Sequence, residues 1–161
     1  MPTSSSYYCA NGYVHPPGSP SCYRAEGVGS FGWTASNGQC TNGGKLATFA
    51  TAADAAYVVG SFCGVTTTQA AMWIGLYDPQ GATGYGSPAR HKWAWSGSTT
   101  PLTAAQLAVF ASYWGAGGAT ANADAHHSCV QVLKSGGVGY LQAGDCTGVL
   151  GPLRCCQIAA T

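Results

Sequence analysis

Charge is what this sequence has least of. Asp, Glu, Lys and Arg make up only 7% of its 161 residues, where a soluble domain carries about 25%. Six Lys and Arg stand against five Asp and Glu, giving a net charge of +1, and no basic stripe runs along any segment. That removes the electrostatic footprint by which nucleic acids and anionic membranes are held, so neither is an expected partner. No window reaches the roughly 18 apolar residues of a membrane span. The opening Met1-Pro-Thr-Ser-Ser-Ser has no apolar stretch of the kind a signal peptide needs. Asn11, Asn37, Asn42 and Asn122 all fail the third position of an N-glycosylation sequon. A surface this poor in charge must be solvated by Ser, Thr, Asn and Gly, by O-glycans, or by a partner. Thr3 to Ser6 and His15 to Ser21 are the Ser/Thr- and Pro-rich stretches that suit O-glycans.

Apolar residues are plentiful, at 46% hydrophobic and 11% aromatic, which excludes a disordered chain. The length fits one domain that buries a core without metal or a second subunit. Eight cysteines read as four disulfides in an oxidising, extracellular setting. A zinc site needs close Cys pairs at suitable spacing. Only Cys155 and Cys156 are close, and adjacent cysteines rarely bridge each other.

Local patterns divide the chain as follows. Residues 1–6 form a flexible tail. Tyr7 to Tyr23 reads as a hairpin around Asn11-Gly12 and Pro16-Pro17-Gly18, which a Cys9–Cys22 bridge would close. Ser30 to Cys40 is a short helix and Leu46 to Phe49 a short strand. Thr51 caps a helix over Ala52 to Phe62, with Asp54 three residues on and Ala55, Val58, Val59 and Phe62 at helical spacing. Met72 to Leu76 is a buried strand, and Tyr77 to Pro88 a loop. Alternation in Lys92-Trp93-Ala94-Trp95 places both tryptophans on one face of a strand. Thr103 to Trp114 suits a helix with Leu107, Phe110 and Trp114 in one stripe. A small-residue loop, Gly115 to His127, precedes strands at Cys129 to Leu133, Gly139 to Gln142 and Leu153 to Ile158. Helices early and strands late make an α+β pattern.

Several pieces stand in an order that resembles the C-type-lectin-like family. They are Trp33-x-Ala35-x-x-x-x-Cys40, Gly44-x-Leu46-Ala47-Thr48, the helix with Ala53, Ala56 and Val59, and Trp73-Ile74-Gly75-Leu76. Trp93-Ala94-Trp95-Ser96-Gly97, Cys129-Val130, Cys146 and Pro152-Leu153-Arg154-Cys155-Cys156-Gln157 complete the set. The resemblance covers roughly residues 7–158. It implies two short antiparallel sheets with two helices and a long loop region, stapled by disulfides. The domain would run over 7–161, with the N-terminal hairpin at 7–23 and the long loop region at 77–128. Trp73, Ile74, Leu76, Trp93 and Trp95 are then core residues that argue fold, not chemistry.

The resemblance also implies Cys9–Cys22, Cys129–Cys146, and a bridge from Cys40 to one of the last two cysteines. Cys63, extra to the common pattern, takes the other. Gln157 after Cys156 favours Cys40–Cys156 with Cys63–Cys155, whereas the position of Pro152 favours Cys40 with Cys155.

Sugar-binding members hold calcium through a Glu-Pro-Asn or Gln-Pro-Asp type motif in the long loop and a Trp-Asn-Asp motif on a later strand. Here the loop reads Trp114 to Asn122 without such a motif, and the later position reads Leu141-Gln142-Ala143. Calcium takes six to eight oxygens, several of them carboxylate. Asn122, Asp124 and Asp145 are the only nearby candidates, and Asp145 is too close to Cys146 to match. No metal and no cofactor are therefore expected. Adjacent His126 and His127 point to opposite faces of an extended chain, so they do not suggest one ion.

Leu102 to Phe110 reads as an insertion that enlarges the loop face. Exposed aromatics stack on sugars or anchor proteins. The ligand-contact candidates are Tyr77, Tyr85, Tyr113, Trp114, Asn122 and Asp124. Phe110 is assigned to the loop's own core, and Trp114 fits either role. Ser, His and Asp occur without a motif that places them for nucleophilic catalysis, so an enzyme is not expected. The function read from this sequence is a secreted, calcium-independent recognition module for protein or glycan. The alternatives are a self-assembling coat or filament subunit, motivated by the charge poverty, and an ice- or crystal-surface binder.

Overall fold

Ala71 to Leu76 are buried on every side, the mark of a central strand covered on both faces. The computed structural model describes residues 7–10, 12–27, 32–68, 70–80, 92–115, 128–147 and 153–161. Its strands are β1 (Ser21–Gly27), β2 (Lys45–Leu46), β3 (Ala70–Tyr77), β4 (Ala94–Trp95), β5 (Cys129–Ser135), β6 (Val138–Gly144) and β7 (Leu153–Ala159). Three short helices are α1 (Trp33–Ser36), α2 (Ala52–Ala55) and α3 (Ala104–Ala108). The sheet order is β1-β7-β3-β5-β6, with β2 also on β7 and β4 also on β3. Among the described residues no helix is long and apolar enough to cross a membrane.

The two short sheets anticipated from the sequence are one connected sheet. Its antiparallel halves, β1-β7-β2 and β4-β3-β5-β6, meet where β3 runs parallel to β7 at Met72–Leu153 and Trp73–Arg154. Next to that joint the halves fork, and Ala47 sits in the fork. Its N–H donates to Cys155 O (2.9 Å), and its carbonyl accepts from Gly75 N (2.8 Å). Hence β2 stops at Leu46, short of the expected Phe49. A Cβ on Gly75 would stand 3.0 Å from both Leu46 O and Ala47 O, which explains the glycine in Trp73-Ile74-Gly75-Leu76.

Thr51 and Asp54 form the expected capping box, which satisfies orphan N–H groups of the first turn. The helix does not remain α-helical to Phe62. It widens into a π turn over Ala56–Gly60, closed by Ser61 N to Ala56 O (2.9 Å). A left-handed turn follows at Phe62, Cys63 and Gly64, with φ of 48°, 52° and 78°. Left-handed non-glycine residues cost of order 1–3 kcal/mol each. Full burial of Phe62 and the Cys63 disulfide offset this. The Lys134 ammonium lies 5.5 Å from the Phe62 ring centre and donates to Val65 O (3.0 Å), fastening the turn from outside. The helix expected over Thr103 to Trp114 is likewise shorter. After α3, Phe110 leaves helical geometry (φ −127°, ψ 14°) and Trp114 is extended (ψ 137°), because Trp114 bridges to Leu141 of β6.

The main core gathers Tyr23, Phe49, Val58, Phe62, Ile74, Leu76, Phe110 and Val132 on one face of the sheet. Trp33, Leu46, Trp73 and Cys129 pack as a second cluster, in which Trp33 Nε1 donates to Ile74 O (2.6 Å). Successive residues of β7 point to opposite faces. Cys155 therefore enters the main core and Cys156 a third cluster with Tyr13 and Cys22. The disulfides are Cys9–Cys22, Cys40–Cys156, Cys63–Cys155 and Cys129–Cys146.

The helix-to-sheet contact is closest at Gly139, where a Cβ would stand 2.1 Å from Val59 O. Gly139→Ala is predicted to lower the unfolding free energy by about 3 kcal/mol, read from the urea midpoint. Gly38→Ala, where a Cβ meets nothing within 4 Å, should change it by less than about 0.5 kcal/mol.

Candidate functional site

One clamp draws the chain together at Asp78, Lys92 and Ser128. Asp78, just past β3, is buried. Its N–H donates to Ser128 O (2.7 Å), and its carboxylate accepts from Gln80 N and Lys92 N (both 2.9 Å). Residues 78, 92 and 128, far apart in sequence, are thus held at one place by one side chain and its backbone.

Around this clamp the aromatics divide between two hydrophobic clusters. Tyr77 stacks on Trp33 (centroids 4.9 Å, interplanar 23°) and its Oη donates to Ser98 O (2.8 Å). Trp114 stacks on Trp93 (5.6 Å, 30°) and leans on Phe110 (6.3 Å). The next residue, Gly115, donates its N–H to Leu141 O (3.0 Å). Phe110 is fully buried against Phe49 and Trp95. Tyr113 is half-buried on the main core. Tyr77 and Trp114, both partly exposed, thus pack against different clusters. Tyr85, Asn122 and Asp124 lie outside the described residues, as do His126 and His127.

Sequence reasoning missed where large apolar side chains do reach solvent. Tyr7, Tyr8 and Val14 on the N-terminal hairpin and Val138 at the β5–β6 turn are 50–69% exposed, and Tyr7 stacks on His15 (4.6 Å). It also missed a cleft of about 260 Å³ lined by Pro20, Ser21, Gly43, Lys45, Gln157, Ile158 and Ala159. These residues come from three strands, the residue before β1 and the turn before β2, so no local motif announces them.

No family model matches the sequence, and no curated protein matches it. Solved structures do match. Human lithostathine aligns with a TM-score of 0.64 at 22% identity, over 94% of this chain and 91% of its own. A calcium-independent type II antifreeze protein aligns at 0.66 and 18%, over 98% and 99%. The Ca2+-independent C-type lectin SPL-2 from Saxidomus purpuratus aligns at 0.60 and 22%, over 93% of each chain. The chain has the C-type-lectin-like fold.

Members of this fold that bind sugar through calcium need free carboxylate oxygens, and the described carboxylates are already engaged. Asp54 accepts from Ser19 Oγ, Ala50 N, Thr51 N and Thr51 Oγ1. Asp78 holds the loop clamp described above. Asp145 accepts from Thr147 N (2.9 Å) and Oγ1 (2.8 Å). Glu26 pairs with Arg154 (3.1 Å) and accepts from Thr41 N, Thr41 Oγ1 and Tyr13 Oη. Among the described residues no three His, Cys, Asp or Glu come together as metal ligands. A calcium ion does not fit them.

Burial pushes the Glu26 carboxyl up, but hydrogen bonds from Thr41 and Arg154 outweigh it and hold the group below its ordinary value. A carboxyl depressed in the folded state adds stability that is present above its unfolded pKa, about 4.3, and is lost as pH falls through the folded one. Unfolding free energy should therefore drop as pH falls below about 4.3. Glu26→Gln should lose about 3 kcal/mol at neutral pH, because Arg154 is left buried without its counter-charge. It should also flatten the acid limb, as measured by denaturant unfolding across pH.

Proposed function

We propose that this chain is an extracellular recognition module that binds a glycan or protein partner, without calcium, through the long loop region 77–128. The observation that carries this reading is the Asp78 clamp. It ties residues 78, 92 and 128 together with protein hydrogen bonds alone, which supports a loop region held without a metal. Similar folds support the class of ligand. One similar structure is a C-type lectin domain of murine dendritic cell inhibitory receptor 2 in complex with N-glycan, and SPL-2 is described as a Ca2+-independent lectin. Four disulfides suit an oxidising, extracellular compartment.

Within the loop region Tyr77 and Trp114 act by packing and set the positions of their neighbours. Direct ligand contact falls to Tyr85, Asn122, Asp124 and the half-exposed ring of Tyr113. Nothing in the described residues calls for chemistry on the ligand, and the proposed activity is binding alone.

A second reading, self-association into a coat or filament, draws on the 7% charge content and on exposed Tyr8 and Val138, since weakly charged surfaces associate. Glycan-array and pull-down binding separates the two. The recognition reading predicts a defined ligand whose affinity falls at least about tenfold in Tyr85→Ala or Asp124→Ala, with the unfolding midpoint unchanged. Concentration-dependent light scattering with no array or pull-down signal would instead favour assembly.

A further inference from the structure

The cleft beside β2 lies outside the loop region and is independent of the loop reading. Its construction follows from the register of β7. Val14 and Tyr23 exchange both backbone bonds (2.8 Å each), so Tyr23 turns its N–H and C=O away from β7. By the alternation of an antiparallel pair, Arg154, Cys156 and Ile158 bond to β1, while Cys155, Gln157 and Ala159 face the β2 side. The bond from Ala47 N to Cys155 O fits this assignment. β2 begins with Lys45 opposite Gln157. Before it the chain swings off through left-handed Asn42 (φ 56°) and Gly43 (φ 69°). No residue of β2 therefore stands opposite Ala159, and its backbone N–H faces the cleft.

Two side chains add polar groups there. Ser21 Oγ is buried and accepts from Gln157 Nε2 (2.7 Å). The carbonyl oxygen of Gln157 is occupied by Thr48 N (2.7 Å) and Thr48 Oγ1 (2.8 Å), which locks the amide so that its NH2 end faces Ser21. Lys45 is exposed and brings the only formal charge among the lining residues. Pro20 and Ala159 supply apolar wall beside these polar groups. At about 260 Å³ the space is below the roughly 300–1,000 Å³ of sites that enclose a drug-sized ligand, so it takes one ring.

We infer that this cleft binds the carboxylate-bearing ring of an acidic sugar, a uronic acid unit. Lys45 takes the carboxylate, Ala159 N–H donates to a ring or hydroxyl oxygen, Ser21 Oγ accepts from a sugar hydroxyl, and the C–H face of the ring lies on Pro20 and Ala159. The mixed lining separates this ligand from a bare anion, which would leave the apolar wall unused, and from a neutral sugar, which would leave Lys45 without a partner.

Amide-resolved NMR titration tests it, with glucuronate, glucose and inorganic phosphate as probes. Glucuronate should shift Ser21, Lys45 and Ala159 together in a saturable way. Glucose and phosphate should each bind there at least tenfold more weakly. Lys45→Met, a change at an exposed site that leaves the core untouched, should weaken glucuronate at least tenfold with the rest of the spectrum unmoved. Tyr85→Ala should keep the glucuronate shifts whether or not it loses array binding, which separates this site from the loop reading. Absence of glucuronate shifts at these residues, equal binding by Lys45→Met, or phosphate or glucose binding as tightly as glucuronate overturns the inference.

Discussion

Two neighbouring sulfurs on one strand hold this fold. Cys155 and Cys156 sit on β7, the strand that touches β1, β2 and β3. Strand alternation sends one sulfur into the main core to Cys63 and the other to the opposite face to Cys40. The closed segments span 92 and 116 residues. In the chain-entropy model, closing a loop of this size is worth about 4–5 kcal/mol. That is enough to hold the left-handed turn at Phe62 and Cys63, which local propensity alone disfavours. It also pins the helix end against the sheet, where Gly139 meets Val59 at backbone distance.

The same economy governs charge. Four ionisable groups, Glu26, Asp54, Asp78 and Arg154, are buried, and each joins segments distant in sequence. Glu26 and Arg154 tie β1 to β7 beside Thr41. Asp54 ties the helix cap to Ser19, and Asp78 joins the backbone at Lys92 and Ser128. Buried carboxylates must be hydrogen-bonded or paired, and these are. Carboxylates engaged by protein donors in this way are not offered to a metal.

Much of the scaffold was legible because its signals are local. Thr51 and Asp54 announce a helix start, and Met72 to Leu76 announces a buried strand. Trp93 and Trp95 alternate onto one core. What was not legible depends on partners far along the chain. The parallel joint of β3 and β7, the fork at Ala47 and the π turn after α2 arise from packing that overrides local pattern. The candidate site shows the same division. Sequence identifies Tyr77 and Trp114 as aromatic, but their burial is decided by Trp33 and Trp93, which approach only in the fold. The cleft was invisible for the same reason, since Pro20, Lys45 and Ala159 meet only once β1, β2 and β7 have paired.

On the proposed reading, this C-type-lectin-like scaffold is held by disulfides and protein hydrogen bonds and takes up no calcium. An ion that binds the folded state must raise its stability in proportion to occupancy, by about 2.7 kcal/mol at a hundred times its dissociation constant. Thermal unfolding of the full chain in millimolar calcium and in excess chelator is therefore the most direct measurement. The account predicts superimposable transitions. A midpoint that rises with calcium concentration and falls on chelation would contradict it.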